Sequence, residues 1–192
     1  HCQQRLALEL LDRNVQAEAQ IRWVWQQLGG RWGGTVREGS ATADSRLLAR
    51  RVSRPWGEVL RPLNKQSDNL LTRLLFLSMG QARQGSDMQT PTQELARREV
   101  TRWFTEHHID PAGLVMDNGS GLSRSERITP RQMALLLKAA WGERLAPELL
   151  MSMPVVGVDG TMRNRLKAGP AAGAARMKTG TLRNVVALAG FV

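Results

Sequence analysis

The chain has 192 residues, 42% of them apolar and 23% charged, a balance that fits a globular domain and excludes disordered and collagen-like classes. Its longest apolar runs, residues 133–137 and 185–189, fall far short of the roughly 18 residues a membrane span needs, so no transmembrane segment is expected. The net charge of +10 comes from 27 Lys and Arg, of which only Lys65, Lys138, Lys167 and Lys178 are Lys; these cations are scattered and follow no nucleic-acid-binding pattern, so no nucleic-acid partner is expected.

Cys2 is the single cysteine and cannot form an internal disulfide, and no His/Cys cluster has metal-ligand spacing, so no metal site is expected. The chain starts at His1-Cys2-Gln3 without a basic-then-apolar leader and stops at Phe191-Val192 inside a strand-like run. Both ends read as cuts through structure. We therefore expect a fragment of a larger domain, with no internal boundary placed over 1–192.

Residues 5–28 keep helical spacing through Leu6, Leu10, Val15, Ile21, Val24, Trp25 and Leu28, and Gly29-Gly30 stops the run. Residues 35–39 and 46–53 read as short strands around the Gly33-Gly34 turn and beyond it. Pro55 suits the start of a helix running to Lys65, which Ser67-Asp68-Asn69 interrupts. A second helix follows, with Leu70, Leu71, Leu74, Leu75 and Met79 as a buried stripe bounded by Gly80 and Gly85. Pro91-Thr92 opens a helix to His108, where His107 and His108 suit the negative end of the helix dipole. Residues 113–124 form a Gly/Ser-rich loop after a short strand at 114–116. Thr129-Pro130 caps a helix that ends near Trp141, and 147–153 is a shorter helix. Residues 157–173 are loop, with a helical turn around 161–166. The chain closes on strands 176–181 and 185–192, joined by a tight turn at 182–184. The six Trp and the residues Met133, Met151 and Met153 read as core filling.

Two tripeptides carry chemistry. Ser67-Asp68-Asn69 falls in a break between helices, and Lys178-Thr179-Gly180 falls on a strand. Taken singly, Ser67-Asp68 is also a good helix cap and Lys178-Thr179-Gly180 a plausible exposed strand end. In this order and setting they match two of the three motifs shared by penicillin-binding proteins and class A β-lactamases. Acyl transfer through a serine needs a proton shuttle near the nucleophile, a hydroxyl beside a Lys ammonium can serve, and Ser67 can play that relay part. Asn69 can hydrogen-bond substrate amides, and Asp68 would hold the turn by accepting backbone N–H groups. Lys178 offers a cation, and Thr179 a hydroxyl donor, to a substrate carboxylate. Gly180, without a Cβ, lets an extended peptide approach the strand edge.

Residues 64–69 and the Leu-rich helix after them resemble the second motif of the D-alanyl-D-alanine carboxypeptidase/endopeptidase family, the class C low-molecular-mass penicillin-binding proteins of peptidase family S13. The run Asp117-Asn118-Gly119-Ser120-Gly121-Leu122-Ser123-Arg124 is similar to that family's G-S-G-L-S-R loop, and Ser120 and Arg124 are expected to shape the cleft. Gly157-Val158-Asp159-Gly160-Thr161, Lys178-Thr179-Gly180-Thr181 and residues 188–192 resemble the segments around its third motif. The resemblance spans at least 55–192. It implies an incomplete β-lactamase/transpeptidase-like fold, α/β of the α+β kind: a helical cluster with part of an antiparallel sheet. It also implies an envelope or periplasmic serine peptidase without a cofactor, with peptidoglycan stem peptides and β-lactam antibiotics as its partners. Thr181 joins Thr179 and Gly180 in binding substrate. An exposed sheet edge offers a route to self-association.

One departure decides activity. No S-x-x-K occurs, because Pro62, Leu135, Asn164 and Ala175 stand three residues before the four lysines. The nucleophile is therefore expected outside this chain, and the polypeptide alone is expected to be inert. Rival readings are a non-catalytic scaffold that kept the fold and a serine β-lactamase. A class A β-lactamase would need an acidic residue to activate the deacylating water, for which Glu126, Glu143 and Glu148 are the only candidates noted. The class C β-lactamase motif contains Tyr, and the chain has none.

Overall fold

The computed structural model describes residues 12–40, 42–85 and 89–192. They divide into two compact units, one ending at Arg51 and the other running from Val52 to Val192.

In the first unit, helix α1 (Arg13–Gln27) starts at Asp12, whose side chain accepts from the Asn14 N–H at 2.8 Å. The expected residues 5–11 of this helix lie outside the described residues. Arg22 pairs with Glu18 one turn back, donates to the Gly34 carbonyl and lies 5.0 Å from the Trp32 ring centre. The strands expected at 35–39 and 46–53 do not form. Neither stretch has a backbone ladder partner among the described residues, although the Glu38 side chain accepts from Asn14, and a strand exists only as part of a ladder. Trp23, Trp25 and Trp32 are exposed rather than core.

The second unit begins with α2 (Trp56–Gln66), and α3 (Asn69–Gln84) follows after a two-residue break. The buried stripe expected on α3 is only partly so: Leu70 and Leu74 are exposed, while Phe76 and Gly80 are buried. The helix turns the Phe76–Gly80 face to α4 (Thr92–Glu106), which contributes Leu95, Ala96 and Phe104. Gly80 does not end the helix as expected. It lies inside α3, where an added Cβ would overlap the Thr92 carbonyl, so glycine permits the close approach of the two helices. Gly85, at φ 48°, ends it instead.

A loop from His107 to Thr129 leads to α5 (Pro130–Trp141), which starts with a full capping box between Thr129 and Gln132. Buried Gln132 also donates to the carbonyls of Asp110 and Ala112, tying the loop to the helix. The expected strand at 114–116 reduces to a single bridge between Val115 and Arg127. Trp141 and Met151 are exposed, whereas Met153 is buried.

Helix α6 (Ala146–Ser152) and a 3₁₀ turn (Gly160–Met162) precede the hairpin β1 (Arg176–Leu182) and β2 (Val185–Phe191). The hairpin is antiparallel with Lys178 opposite Ala189, and Asn184 takes the left-handed conformation its two-residue turn requires. A core of Val156, Met162 and Ala175, with Ala171 and Met177 against it, fixes the 3₁₀ segment to β1. Backbone bonds from Val156 N to Ala175 O and from Met177 N to Pro154 O complete that seam.

Candidate active site

The break between α2 and α3 is built by two caps. Ser67 ends α2 in the left-handed region (φ 57°, ψ 54°), and the backbone N–H groups of Ser67 and Asp68 both donate to the Leu63 carbonyl. Asp68 then caps α3, its carboxylate accepting from the Leu71 N–H at 2.9 Å. The chain thereby ends one helix and starts the next within two residues, with Ser67 as the C-cap of α2 and Asn69 as the first residue of α3. Few non-glycine residues occupy this backbone region, and their strain is characteristic of functional sites.

The hairpin supplies the other half. Lys178 Nζ donates to Ser67 Oγ at 2.7 Å and to the Thr179 carbonyl at 2.9 Å, joining residues 111 positions apart. Lys178 is half-buried, and that burial holds its ammonium below the ordinary lysine pKa. Thr179 Oγ1 lies 3.0 Å from Thr161 Oγ1. Gly180 and Thr181 are exposed further along β1, which pairs only with β2 over this stretch among the described residues.

The loop at 117–124 approaches from the α3 side. Gly119 (φ 71°) packs so closely on Phe76 that an added Cβ would lie 2.5 Å from the phenylalanine Cβ. Ser120 keeps its polar groups within its own loop: its N–H donates to Asn118 and its hydroxyl accepts from the Leu122 N–H. An added Cβ on Gly121 would stand 3.9 Å from Asn69 Oδ1, which places this loop beside the break. Arg124 donates to the Arg183 carbonyl at 3.1 Å and so ties the loop to the hairpin turn. The three acidic residues noted from the sequence are engaged elsewhere. Glu126 accepts from the Gly119 N–H, Glu143 pairs with His107, and Glu148 lies against Gly57.

Ser67 and Lys178 thus meet, with Thr179 next to Lys178 on β1, while Asn69 is placed only beside Gly121 of the 117–124 loop and Arg124 joins that loop to the hairpin turn. Sequence reasoning missed the supports around them. Lys65 Nζ bonds both the Met153 carbonyl and the Asp159 carboxylate, and Asp159 also accepts from the Val155 N–H at 2.8 Å. Arg97 and Gln93 of α4 hold the 116–117 carbonyls beneath the loop. The signal for the first group is the 157–161 segment, whose resemblance to the family assigns no role to Asp159.

A family model described as the D-Ala-D-Ala carboxypeptidase 3 (S13) family matches residues 3–192. The D-alanyl-D-alanine carboxypeptidase of Actinomadura sp. (strain R39) is 34% identical over 154 residues, which is 78% of this chain and 28% of that protein. The D-alanyl-D-alanine carboxypeptidase DacB of Haemophilus influenzae is 29% identical over 191 residues, 97% of this chain and 39% of that protein. A crystal structure of penicillin binding protein 4 (dacB) from Haemophilus influenzae, complexed with a β-lactam, superposes with a TM-score of 0.82 at 28% identity. That match covers 97% of this chain and 43% of the solved one, and it establishes the transpeptidase-like fold. The chain spans well under half the length of these relatives.

Proposed function

The chain belongs to the D-Ala-D-Ala carboxypeptidase 3 (S13) family, and we propose that it forms the proton-relay and carboxylate-binding side of a serine peptidase cleft acting on the D-Ala-D-Ala ends or peptide crosslinks of peptidoglycan. The observation that carries the reading is the 2.7 Å bond from Lys178 Nζ to Ser67 Oγ. A hydroxyl held against a partly desolvated ammonium is a ready proton relay, and such a relay suits acyl transfer at a scissile amide.

In this reading the nucleophilic serine lies outside the 192 residues, in an S-x-x-K segment. It attacks the penultimate D-Ala carbonyl and gives its hydroxyl proton to the neutral S-x-x-K lysine, the C–N bond breaks, and an acyl-serine forms. Ser67 relays that proton to the departing amine, while Lys178 orients the Ser67 hydroxyl and keeps its charge. Thr179 and Thr181 hold the terminal carboxylate beside the Lys178 cation, while Asn69 bonds the peptide amide. The free edge of β1 aligns the extended substrate beside Gly180. Water then releases the acid, and no cofactor takes part. A β-lactam would acylate the same serine. The substrate places the protein at the cell envelope or in the periplasm.

The test is acylation by a fluorescent penicillin of the full-length parent protein, of its Ser67→Ala and Lys178→Met variants, and of the 192-residue chain alone. We expect the parent to be labelled, the chain alone to remain unlabelled, and each variant to react roughly 10²- to 10⁴-fold more slowly, the range for a lost proton-transfer group. An unlabelled parent would leave a non-catalytic binding role in place of the enzyme. Rapid turnover of the label would identify a β-lactamase. Labelling of the chain alone would show that a nucleophile lies within it.

A further inference from the structure

Ser67 and Lys178 sit on elements that do not otherwise bond to each other at this point, so something must set the gap between them. Ser67 terminates α2, and Lys178 belongs to β1. Between these elements lies the 3₁₀ segment with the residues that lead into it, Val155 to Thr161.

Four contacts tie that segment to both sides, two toward each. Toward α2, Lys65 reaches from the last turn, two residues before Ser67, to bond Asp159 Oδ2 and the Met153 carbonyl. Gly160 presses on the same turn, for an added Cβ would stand 2.7 Å from the Lys65 carbonyl. Toward β1, Asp159 Oδ1 accepts from Val155 N–H, and Val155 bridges to Arg176, the first residue of the strand. Thr161 meets Thr179 hydroxyl to hydroxyl. One oxygen of the Asp159 carboxylate thus meets α2, and the other fixes Val155, the residue that bridges to β1. Burial raises its pKa, but the hydrogen bonds from Lys65 and Val155 together with the charges of Lys65 and Arg176 bring it below the ordinary carboxylate value.

We propose that Asp159 and Lys65 form a positioning pair that sets the distance between the Ser67 hydroxyl and the Lys178 ammonium. Neither residue touches the reacting atoms. Their charge pair clamps the end of α2 to the start of β1, and Thr161 carries the same restraint to Thr179. A partly exposed pair of this kind would contribute little to stability. Its effect falls instead on geometry, where a displacement of 1 Å costs about 100-fold in rate. The inference rests on the proposed relay for its catalytic consequence, although the clamp itself stands on contacts alone.

Asp159→Asn isolates the charge, since the amide oxygen still accepts from Val155 N–H while the ion pair is lost. Lys65→Met removes the other partner and keeps its length. The experiment uses full-length protein with ¹³C-labelled lysine, in which the Lys178 signal is assigned by its disappearance in Lys178→Arg. In both variants the Lys178 titration should move up toward that of an ordinary lysine as the cleft loosens and water reaches the ammonium. Penicillin acylation should fall roughly tenfold per folded molecule, with the double variant no worse than either single one. Lys65→Arg should restore much of the rate. An unchanged Lys178 titration in both variants overturns the proposal, as does a loss confined to melting temperature or two losses that multiply. Should the wild type resist acylation while the titration still responds to Asp159→Asn, the clamp stands and the catalytic reading is the one that fails.

Discussion

Replacing Gly119 by Ala tests how the 117–124 loop is held over α3. Gly119 has φ 71°, and a side chain in the left-handed region costs about 1–2 kcal/mol. Its new Cβ would stand 2.5, 2.7 and 3.0 Å from three atoms of Phe76, a buried ring with no room to retreat. Overpacking of that kind adds about 1–3 kcal/mol, giving about 2–5 kcal/mol in all. Gly113 is the internal control, because it has φ 77° and nothing within 4 Å of its hypothetical Cβ. Gly113→Ala should therefore cost only the backbone part, about 1–2 kcal/mol. The assay is urea unfolding of each variant in the full-length protein, repeated in a Phe76→Ala background. Removing the ring takes away the 2.7 and 3.0 Å contacts but keeps the 2.5 Å one to the Phe76 Cβ, so the cost of Gly119→Ala should fall part of the way toward that of Gly113→Ala, a coupling of up to about 1–3 kcal/mol. Equal costs at the two glycines, or a Gly119→Ala cost indifferent to Phe76, would refute the packing argument.

Two further predictions concern pH. Burial depresses the Lys178 pKa, so between that value and the ordinary one the unfolded chain binds more protons than the folded chain, and stability rises with pH across the window. Over the same window the cation is lost, so KM for a carboxylate-ended peptide should climb at a lower pH than an ordinary lysine would give. Lys178→Arg should abolish that climb, and a climb that persists would remove Lys178 from carboxylate binding. His107 has the opposite sign: its hydrogen bond to Glu143, aided by one to the Trp103 carbonyl, raises its pKa. The stability it contributes is complete below the ordinary histidine value and disappears as pH rises through the raised one. Glu143→Gln should bring the His107 titration, followed by NMR, back toward the ordinary value, and no movement would show that the 2.9 Å contact is absent in solution.

The elements that the sequence made legible are those with local causes. Pro55, Thr129-Pro130 and the 182–184 turn each announce a boundary through their own backbone chemistry; α2 starts at Trp56, α5 at Pro130, and the turn shortens to 183–184 because Leu182 pairs with Val185. The two tripeptides were legible because their residue types are rare in combination. What failed depended on partners. Strands at 35–39 and 46–53 have suitable composition, but their ladders cannot be read from one segment. The leucine stripe of α3 was assigned by period alone, whereas its buried face was chosen by α4 through Phe76 and Gly80. Gly80 looked like a helix end because glycine often is one, and only the nearness of Thr92 shows why it lies inside. Lys65 and Asp159 were invisible as a pair for the same reason, since 94 positions separate them.

The positions of the fasteners bear on how the cleft is assembled. Ser67 is held by bonds to Leu63 within α2, the 117–124 loop by Phe76, Gln93 and Arg97, and Lys178 by the hairpin and the 155–161 segment. All of these lie between Val52 and Val192, within one compact unit. The strained backbone of Ser67, at a cost of about 1–3 kcal/mol for a non-glycine residue in this region, is thus maintained by contacts internal to that unit. A nucleophile arriving on an S-x-x-K segment would meet a relay already in place and would not have to create it. Fixed dipoles and hydrogen bonds that need no rearrangement during reaction are what make such a site effective. It follows that damage to the clamp or to the loop should slow acylation even where the nucleophile's own surroundings are intact.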